Sequence, residues 1–370
     1  MPDFTSALYL GLTHTSRSLP GWQQLTLGQP AMMADPPGTE QVAGRLAQLQ
    51  GMGESVLLPS TLHLFFDVFE TFGSARTAIF LDSACYPIAR WGAERMAGRG
   101  VPLVTFNRHD PHHLRQRLTR LGRHGLRPLV VADGVCPRTG RLAPLRDYLE
   151  AVRHFGGLLL VDDTQGLGLL GQRPQPGQPY GSGGGGSLRF LGLEGPDILY
   201  AASLAKAFGV PMAALSGSGR MIERFKSLSL SRVHCSPPSV AVIQSGQQAL
   251  AINQREGDLL RAGLLGNLLR FRQGVGRLGL ATEGGLFPVQ SLRPLRQLSA
   301  ASLQQALLGR GVKTLLLNAR GHAALQLGFV ITARHSPHDI DLCLEHLESV
   351  MVNGYPRRNG RRPNPIYIRR

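Results

Sequence analysis

Residues 158–163 read LLLVDD, and residues 197–209 read DILYAASLAKAFG. In each stretch an apolar run of strand length is followed by polar groups, two aspartates in the first and a serine and a lysine in the second. Continuous apolar runs are typical of strands buried on both faces, as in parallel sheets. Because ligands of open parallel sheets bind at the carboxyl ends of strands, we expect Asp162 and Lys206 to face one crevice.

Helix-like and strand-like segments alternate on both sides of these two runs. The predicted helices cover residues 39–50, 62–72, 88–100 and 144–157, and the predicted strands cover residues 56–59, 77–82, 101–106 and 126–133. Such alternation predicts an α/β fold in which helices lie on both faces of a mostly parallel sheet. Residues 171–192, rich in Gly, Pro and Gln, interrupt the pattern. They predict a surface loop, either a flexible insertion or a lid over the site.

The character of the chain changes near residue 240, where a long helical stretch gives way to short strands and two further helices. We therefore predict a smaller α+β domain after the large one. The resulting division is an N-terminal segment (1–45), a large domain (46–240), a small C-terminal domain (241–350) and a basic, disordered tail (351–370).

Composition limits the compartment and the possible partners. The four cysteines (Cys85, Cys136, Cys235 and Cys343) lie far apart and form no CxxC pair. This spacing predicts neither a disulfide framework nor a metal site, and it favours a reducing cytoplasm. Because no apolar run reaches the roughly 18 residues that a membrane span needs, no membrane partner is expected.

The net charge of +16 raises the question of nucleic-acid binding. Residues 355–370 alone hold six arginines and no acid, so removing them leaves +10 (16 minus 6), spread along the chain. We attribute this charge to a general preference for arginine along the chain and to a solvated basic tail. We therefore do not expect nucleic acid to be the main partner.

Lysine is scarce in this chain. Of the 40 Lys+Arg residues only three are lysine, namely Lys206, Lys226 and Lys313. Arginine remains protonated in proteins, whereas lysine can lose its proton and react as an amine. Lys206 is therefore either an accidental choice or a position that needs a reactive amine.

Three groups are expected at the same edge of the sheet: the amine of Lys206, the carboxylate of Asp162, and a helix start at Ser60-Thr61. Pyridoxal phosphate needs this set, because a lysine binds its aldehyde, an acid pairs with its pyridine nitrogen, and backbone N–H groups at a helix start bind its phosphate.

Several motifs make the chain resemble the α-oxoamine synthase family of fold-type-I pyridoxal-phosphate enzymes. They are VDDTQGLGLLG (161–171), PDILYAASLAKAFGVPMAALSGS (196–218), LLPSTLHLFFDVF (57–69), ADGVCPRTGRLAPL (132–145) and ITARHSPHDID (331–341). The resemblance runs collinearly over roughly residues 7–350. It implies a large domain with a mostly parallel seven-stranded sheet, a smaller α+β domain and a homodimer with shared active sites.

The resemblance also implies residue roles. Lys206 corresponds to the Schiff-base lysine, Asp162 to the acid at the pyridine nitrogen, and Ser203 to a hydroxyl on the phosphate. Ser60, Thr61 and Leu62 correspond to the phosphate-binding helix start, although Ser60 and Thr61 could also serve only as a helix cap. His234 and Ser236 fall in the segment that, in this family, reaches the partner subunit's cofactor phosphate.

The chain departs from the family at positions around the substrate. Gln165 replaces a histidine that contacts the cofactor's phenolic oxygen. Ser83 replaces the histidine that stacks on the ring, and Tyr86 and His63 are alternative residues to cover it. No arginine stands near Gln326 or Gly328, where the family binds the substrate carboxylate. Arg320 and Arg334 flank that position, although a surface role is equally open to both.

The sequence thus predicts a pyridoxal-phosphate-dependent transferase that acts on an amino acid or amine. The resemblance implies C–C bond formation with an acyl-CoA or acyl-carrier thioester. The departures keep two alternatives open: an aminotransferase or another amino-acid-modifying enzyme on the same fold, and a non-catalytic binding protein that retains the fold.

Overall fold

The computed structural model describes residues 1–122, 125–294, 299–318, 325–353 and 367–368. Contacts between residues divide the chain into two compact units. The larger unit comprises Leu12–Cys136 and Leu142–Asp258, and the smaller one comprises Met1–Gly11, Pro137–Arg141 and Leu259–Arg370. The domain boundaries placed at 45/46 and 240/241 from the sequence stay predictions.

A seven-stranded sheet forms the centre of the larger unit. Its strands are β1 (Glu54–Leu58), β2 (Thr77–Asp82), β3 (Leu103–Phe106), β4 (Arg127–Asp133), β5 (Leu158–Asp162), β6 (Ile198–Ser203) and β7 (Ala213–Gly217). The strand order is β1-β7-β6-β5-β4-β2-β3, and only β7 runs antiparallel to its neighbours. This arrangement confirms the predicted mostly parallel seven-stranded sheet and the α/β fold.

Apolar side chains explain why these segments are strands. Every residue of β2 is buried, as are all residues of β5 except the first and all residues of β6 except the last. Such strands gain stability only when both faces are covered. Eight helices of this unit accompany them: α1 (Thr39–Gln50), α2 (Thr61–Phe72), α3 (Pro87–Ala97), α4 (Pro111–Gly122), α5 (Leu145–His154), α6 (Ser187–Leu191), α7 (Gly219–Leu228) and α8 (Leu230–His234). The long helix α9 (Val240–Arg277) begins in the larger unit and continues into the smaller.

Only part of the Gly-rich stretch forms the exposed loop predicted from its composition, since residues 172–178 are exposed. Residues 184–188 are buried, and α6 begins at Ser187. Before α6 the chain folds back on itself through isolated bridges between Gln172 and Ser182 and between Leu167 and Gly185. The glycines are needed because the backbone packs closely: a Cβ on Gly185 would lie 2.8 Å from Cγ of Arg189 and would overlap a carbonyl oxygen of α1.

A second, five-stranded sheet forms the smaller unit, in the order β12-β10-β11-β9-β8. Its strands and helices are β8 (Thr282–Glu283), β9 (Val289–Leu292), α10 (Ala300–Leu308), β10 (Leu315–Asn318), β11 (Leu325–Val330), α11 (Pro337–Asn353) and β12 (Tyr367–Ile368). The first residues of the chain join this unit, since Phe4 bonds the backbone of Lys313 and Val330 and its ring stacks on His335 at 4.3 Å. None of the helices in the described ranges is both long and apolar enough to cross a bilayer.

Candidate active site

Asp162 and Lys206 lie where the sequence predicts them, beside the carboxyl ends of adjacent strands. Asp162 is the last residue of β5 and pairs in register with Ala201 of the parallel strand β6. Thr164 joins the two strand ends, because its N–H donates to Asp162 Oδ1 at 3.0 Å and its hydroxyl accepts the N–H of Ser203 at 3.0 Å. Lys206 follows three residues after β6 ends and is half-buried.

The positive charge of Lys206 is one of the influences on the pKa of Asp162. Burial raises the pKa of Asp162, whereas the hydrogen bonds from Thr164 and the positive charge of Lys206 lower it. A buried carboxylate is stable only when cations and donors face it. Asp162 therefore occupies a position in which a further cationic group, such as a protonated ring nitrogen, is favourable.

The backbone holds Lys206 on a closed turn between β6 and β7. The N–H of Leu204 bonds the carbonyl of Met212 at 2.9 Å, and the N–H of Val210 bonds the carbonyl of Leu204 at 3.1 Å. Gly168, with φ of +81°, packs against this turn so closely that a Cβ would lie 2.5 Å from Cβ of Ala207. The segment after Asp162 and the lysine turn are thus fitted to each other.

The predicted phosphate-binding groups belong to two elements. Ser203 ends β6, and Ser60 precedes α2, which begins at Thr61. The Ser60 side chain bonds Nδ1 of His63 at 2.9 Å and makes no cap bond to the helix. The first N–H groups of α2, including that of the exposed Leu62, are therefore not used by a side-chain cap, which suits anion binding.

The residues proposed to cover the cofactor ring lie just after β2, just before α3 and in the first turn of α2. Ser83 directly follows β2 and donates its N–H to the carbonyl of Phe106 at 3.0 Å. Tyr86 precedes α3, and its side chain is 44% exposed. His63 is half-buried in the first turn of α2. The choice among these residues stays a prediction.

Two carboxyl groups that the sequence analysis missed extend the row at this edge. Asp133 ends β4 and pairs in register with Asp162, and Asp82 ends β2. Asp82 accepts hydrogen bonds from the hydroxyl of Tyr148 at 2.9 Å and the N–H of His109 at 3.1 Å. Burial, followed by the charge of Asp162, raises the pKa of Asp133 well above its usual value. The endings FLD (80–82) and VAD (131–133) repeat the pattern of LLLVDD and could have identified both.

The side chain of Asp163, the second aspartate of the pair, points into the protein interior. Its Oδ2 accepts the N–H of Ser187 at 2.6 Å and the hydroxyl of Tyr200 at 2.7 Å. A Cβ on Gly134, Gly166 or Gly186 would overlap its carboxyl oxygens. Asp163 is therefore the residue that fixes the Gly-rich stretch to the sheet.

The other predicted site residues are placed as follows. Gln165 is buried two residues after Asp163, and His234 and Ser236 are exposed around the end of α8. Arg334 is an exposed residue of the smaller unit, and Arg320 lies outside the described residues. These observations leave the predicted roles of all five residues as predictions.

Strand β11 has no room for an arginine at Gly328. This glycine pairs with Leu315 of β10, and a Cβ built on it would lie 2.5 Å from Cδ1 of Leu317. Of the two positions implied by the resemblance, Gly328 is therefore filled by packing, and Gln326 is a buried neutral side chain.

The donor set fits pyridoxal phosphate better than it fits a metal. Within the described ranges no three His, Cys, Asp or Glu side chains gather into a possible metal site. The buried Asp162, the amine of Lys206, the hydroxyl of Ser203 and the uncapped start of α2 are instead complementary to a pyridinium, an aldehyde and a phosphate.

Comparison with known proteins agrees with this geometry. Residues 39–347 match the family described as aminotransferase class I and II. The 8-amino-7-oxononanoate synthase of Thioalkalivibrio sulfidiphilus is 34% identical over 245 residues, which are 64% of this chain and 58% of that relative. The match thus spans less than two thirds of that relative's length.

Two solved structures share the fold over almost the whole chain. Serine palmitoyltransferase of Sphingomonas wittichii superposes with a TM-score of 0.80 at 20% identity, covering 94% of this chain and 86% of its own. The 8-amino-7-oxononanoate synthase of Francisella tularensis superposes with a TM-score of 0.71 at 16% identity, covering 95% and 97%. Because the match to the family spans most of the sequence, the chain belongs to the family described as aminotransferase class I and II.

Proposed function

We propose that this chain is a pyridoxal-phosphate-dependent acyltransferase that joins an amino acid or amine to an acyl thioester. One observation carries the proposal: the half-buried Lys206 acts electrostatically on the buried Asp162 across two adjacent strand ends. The names of the relatives, 8-amino-7-oxononanoate synthase and serine palmitoyltransferase, support the same class of reaction.

The bound cofactor would supply an aldehyde that captures amines and a ring that withdraws electrons from a carbanion. The residues of this chain would bind and orient it. Asp162 would keep a proton on the ring nitrogen, Ser203 and the start of α2 would bind the phosphate, and Gln165 would donate a hydrogen bond to the phenolic oxygen. An amide side chain cannot exchange protons with the reactants, so Lys206 is the group that would move protons at the reacting carbon.

The test is reductive trapping of the cofactor. Borohydride treatment followed by peptide mapping should place the reduced adduct on Lys206 alone. Lys206→Ala should lose the visible absorption band and all turnover. Lys226→Ala is the matched control, because Lys226 is exposed on α7. An adduct on Lys226 or Lys313, or no adduct, contradicts the assignment.

An aminotransferase is the second candidate, and the packing at Gly328 favours it. Since a Cβ at this position would already overlap Leu317, the substrate can differ from the amino-acid carboxylate that the resemblance implies. Incubation with a panel of amines, with and without acyl thioesters, separates the two. Accumulation of the pyridoxamine form without a thioester identifies amino transfer, and a thioester-dependent product identifies acyl transfer. A chain that binds the cofactor but shows neither would be a binding protein.

The assembly and compartment are part of the proposal. We propose a homodimer with shared active sites, to which the exposed His234 and Ser236 contribute. We also propose a cytoplasmic location, because all four cysteines are free and three are buried. Cross-linking or sedimentation tests the dimer, and fractionation tests the location.

A further inference from the structure

A cavity of about 360 Å³ lies in the larger unit and includes none of the candidate active-site residues. Its walls come from α1, from the Gly-rich stretch and from α9. The side chains and backbone that matter here are those of Arg45, Gln172, Gly183, Arg189, Asn253 and Asp258. The cavity is therefore polar and carries two arginines.

Neither arginine is neutralised by an acid within the described part of the chain. Arg45 is half-buried and donates to Oε1 of Gln254 at 3.0 Å. Arg189 is also half-buried and faces the Gln172 amide, whose oxygen accepts from it at 3.0 and 3.3 Å when the amide is assigned in the orientation that satisfies both groups. Both guanidinium groups thus have neutral amide partners and keep their full positive charge.

The backbone makes room for Arg189 in this position. A Cβ on Gly51 would lie 2.8 Å from Nη1 of Arg189, and a Cβ on Gly185 would lie 2.8 Å from its Cγ. Two glycines from different segments therefore shape the space that the arginine occupies. A surface arginine needs no such accommodation, so the side chain is held in a defined place.

The acid in the cavity wall already has a structural role. Oδ1 of Asp258 accepts the N–H of Gly183 at 3.0 Å, and Nδ2 of Asn253 donates to the carbonyl of Gly183 at 2.9 Å. These bonds attach Gly183, within the Gly-rich stretch, to α9. Two arginines therefore face a single carboxylate in this lining, and positive charge predominates in the cavity.

We propose that this cavity binds a small oxyanion, either a phosphomonoester or a carboxylate. Guanidinium groups bind both through paired, charge-assisted hydrogen bonds, and the surrounding amides can bind the neutral part of the molecule. The site is separate from the proposed catalytic site, so the inference does not rest on the proposed function.

Calorimetric titration of the full-length chain tests the site. The chain is first loaded with pyridoxal phosphate and free cofactor is removed by desalting, so that the cofactor's own phosphate site is filled while the cavity is left open to the probe. Inorganic phosphate is the probe in one arm and succinate in the other. Arg45→Gln and Arg189→Gln should each weaken binding at least about tenfold, the loss of one charged hydrogen bond. Arg173→Gln, at an exposed arginine of the same stretch, should bind as the unmodified chain does.

The two arms identify the oxyanion, because the tighter probe names the chemical class. Binding of neither probe overturns the proposal. So does binding that both cavity variants leave unchanged, or that Arg173→Gln weakens equally. Circular dichroism of each variant checks that the fold is intact. Arg45→Lys keeps the positive charge but loses the paired N–H donors of the guanidinium group, so its affinity for the probe should fall between those of Arg45→Gln and the unmodified chain.

Discussion

The buried Asp163 should make the stability of the chain depend on pH, and Asp163→Asn should remove that dependence. Burial raises the pKa of Asp163 to about 7, and the N–H of Ser187 and the hydroxyl of Tyr200 oppose that shift only in part. Its Oδ1 is buried without a hydrogen-bond partner in the described ranges. An asparagine has nearly the same shape and an oxygen that can accept both bonds, but it does not ionise.

The magnitude follows from the difference between the folded and unfolded pKa. The ordinary value is 3.8 and the folded value is about 7, a difference of about 3.2. At about 1.4 kcal/mol per pKa unit, this amounts to about 4 kcal/mol. Between these two pH values the folded chain holds more protons than the unfolded chain, so the free energy of unfolding falls as pH rises, and the slope levels off above about pH 7.

Denaturant unfolding of both proteins from pH 4 to pH 8 measures this contribution. The unmodified chain and Asp163→Asn should be similarly stable near pH 4. At pH 8 the variant should be more stable by up to about 4 kcal/mol. Asp147→Asn, at a half-exposed acid on α5, is the control and should follow the unmodified chain. A stability difference between Asp163→Asn and the unmodified chain that stays constant across this range refutes the reasoning.

Three further outcomes are expected. Asp162→Asn should retain the fold but slow turnover by about a thousandfold or more in steady-state assays, since a neutral amide cannot hold the ring nitrogen protonated. Gly186→Ala should lower the free energy of unfolding by about 1–3 kcal/mol more than Gly183→Ala. Both glycines have positive φ, but a Cβ on Gly186 overlaps Tyr200 and Asp163 whereas a Cβ on Gly183 meets open space. Burial lowers the pKa of His335 from 6.5, so the smaller unit should lose stability as pH falls below that value. His335→Gln should reduce this loss in the same unfolding assay. His338→Gln, at an exposed histidine, is the control and should not reduce it.

The sequence predicts the strands and their polar ends well because burial on both faces is a local property. LLLVD and ILYAAS carry the apolar run and the functional ending within a few residues. The strand β7 (AALSG) was missed, because its alanines, serine and glycine lack the branched and aromatic side chains that mark strands. It is a strand because it pairs with both β1 and β6.

Long-range packing explains what composition could not predict. The glycines of residues 183–186 suggest mobility when only the local sequence is considered. In the structure, Gly185 packs against the carbonyl of Leu49, and Gly186 packs against Asp163 and Tyr200, all of which lie elsewhere in the chain. Asp82 and Asp133, by contrast, each end an apolar run of the same kind as the one before Asp162, so the local sequence carries the signal for both.

The turn that carries Lys206 joins two antiparallel neighbours, and this limits how its length can change. Side chains of a strand alternate between its faces, so one inserted residue between Leu204 and Met212 would shift β7 by one position and exchange its two faces. Because all five residues of β7 are buried, that exchange would disturb both sides of the sheet. Insertions and deletions in this turn should therefore be excluded by the core of the protein, independently of any selection on the amine.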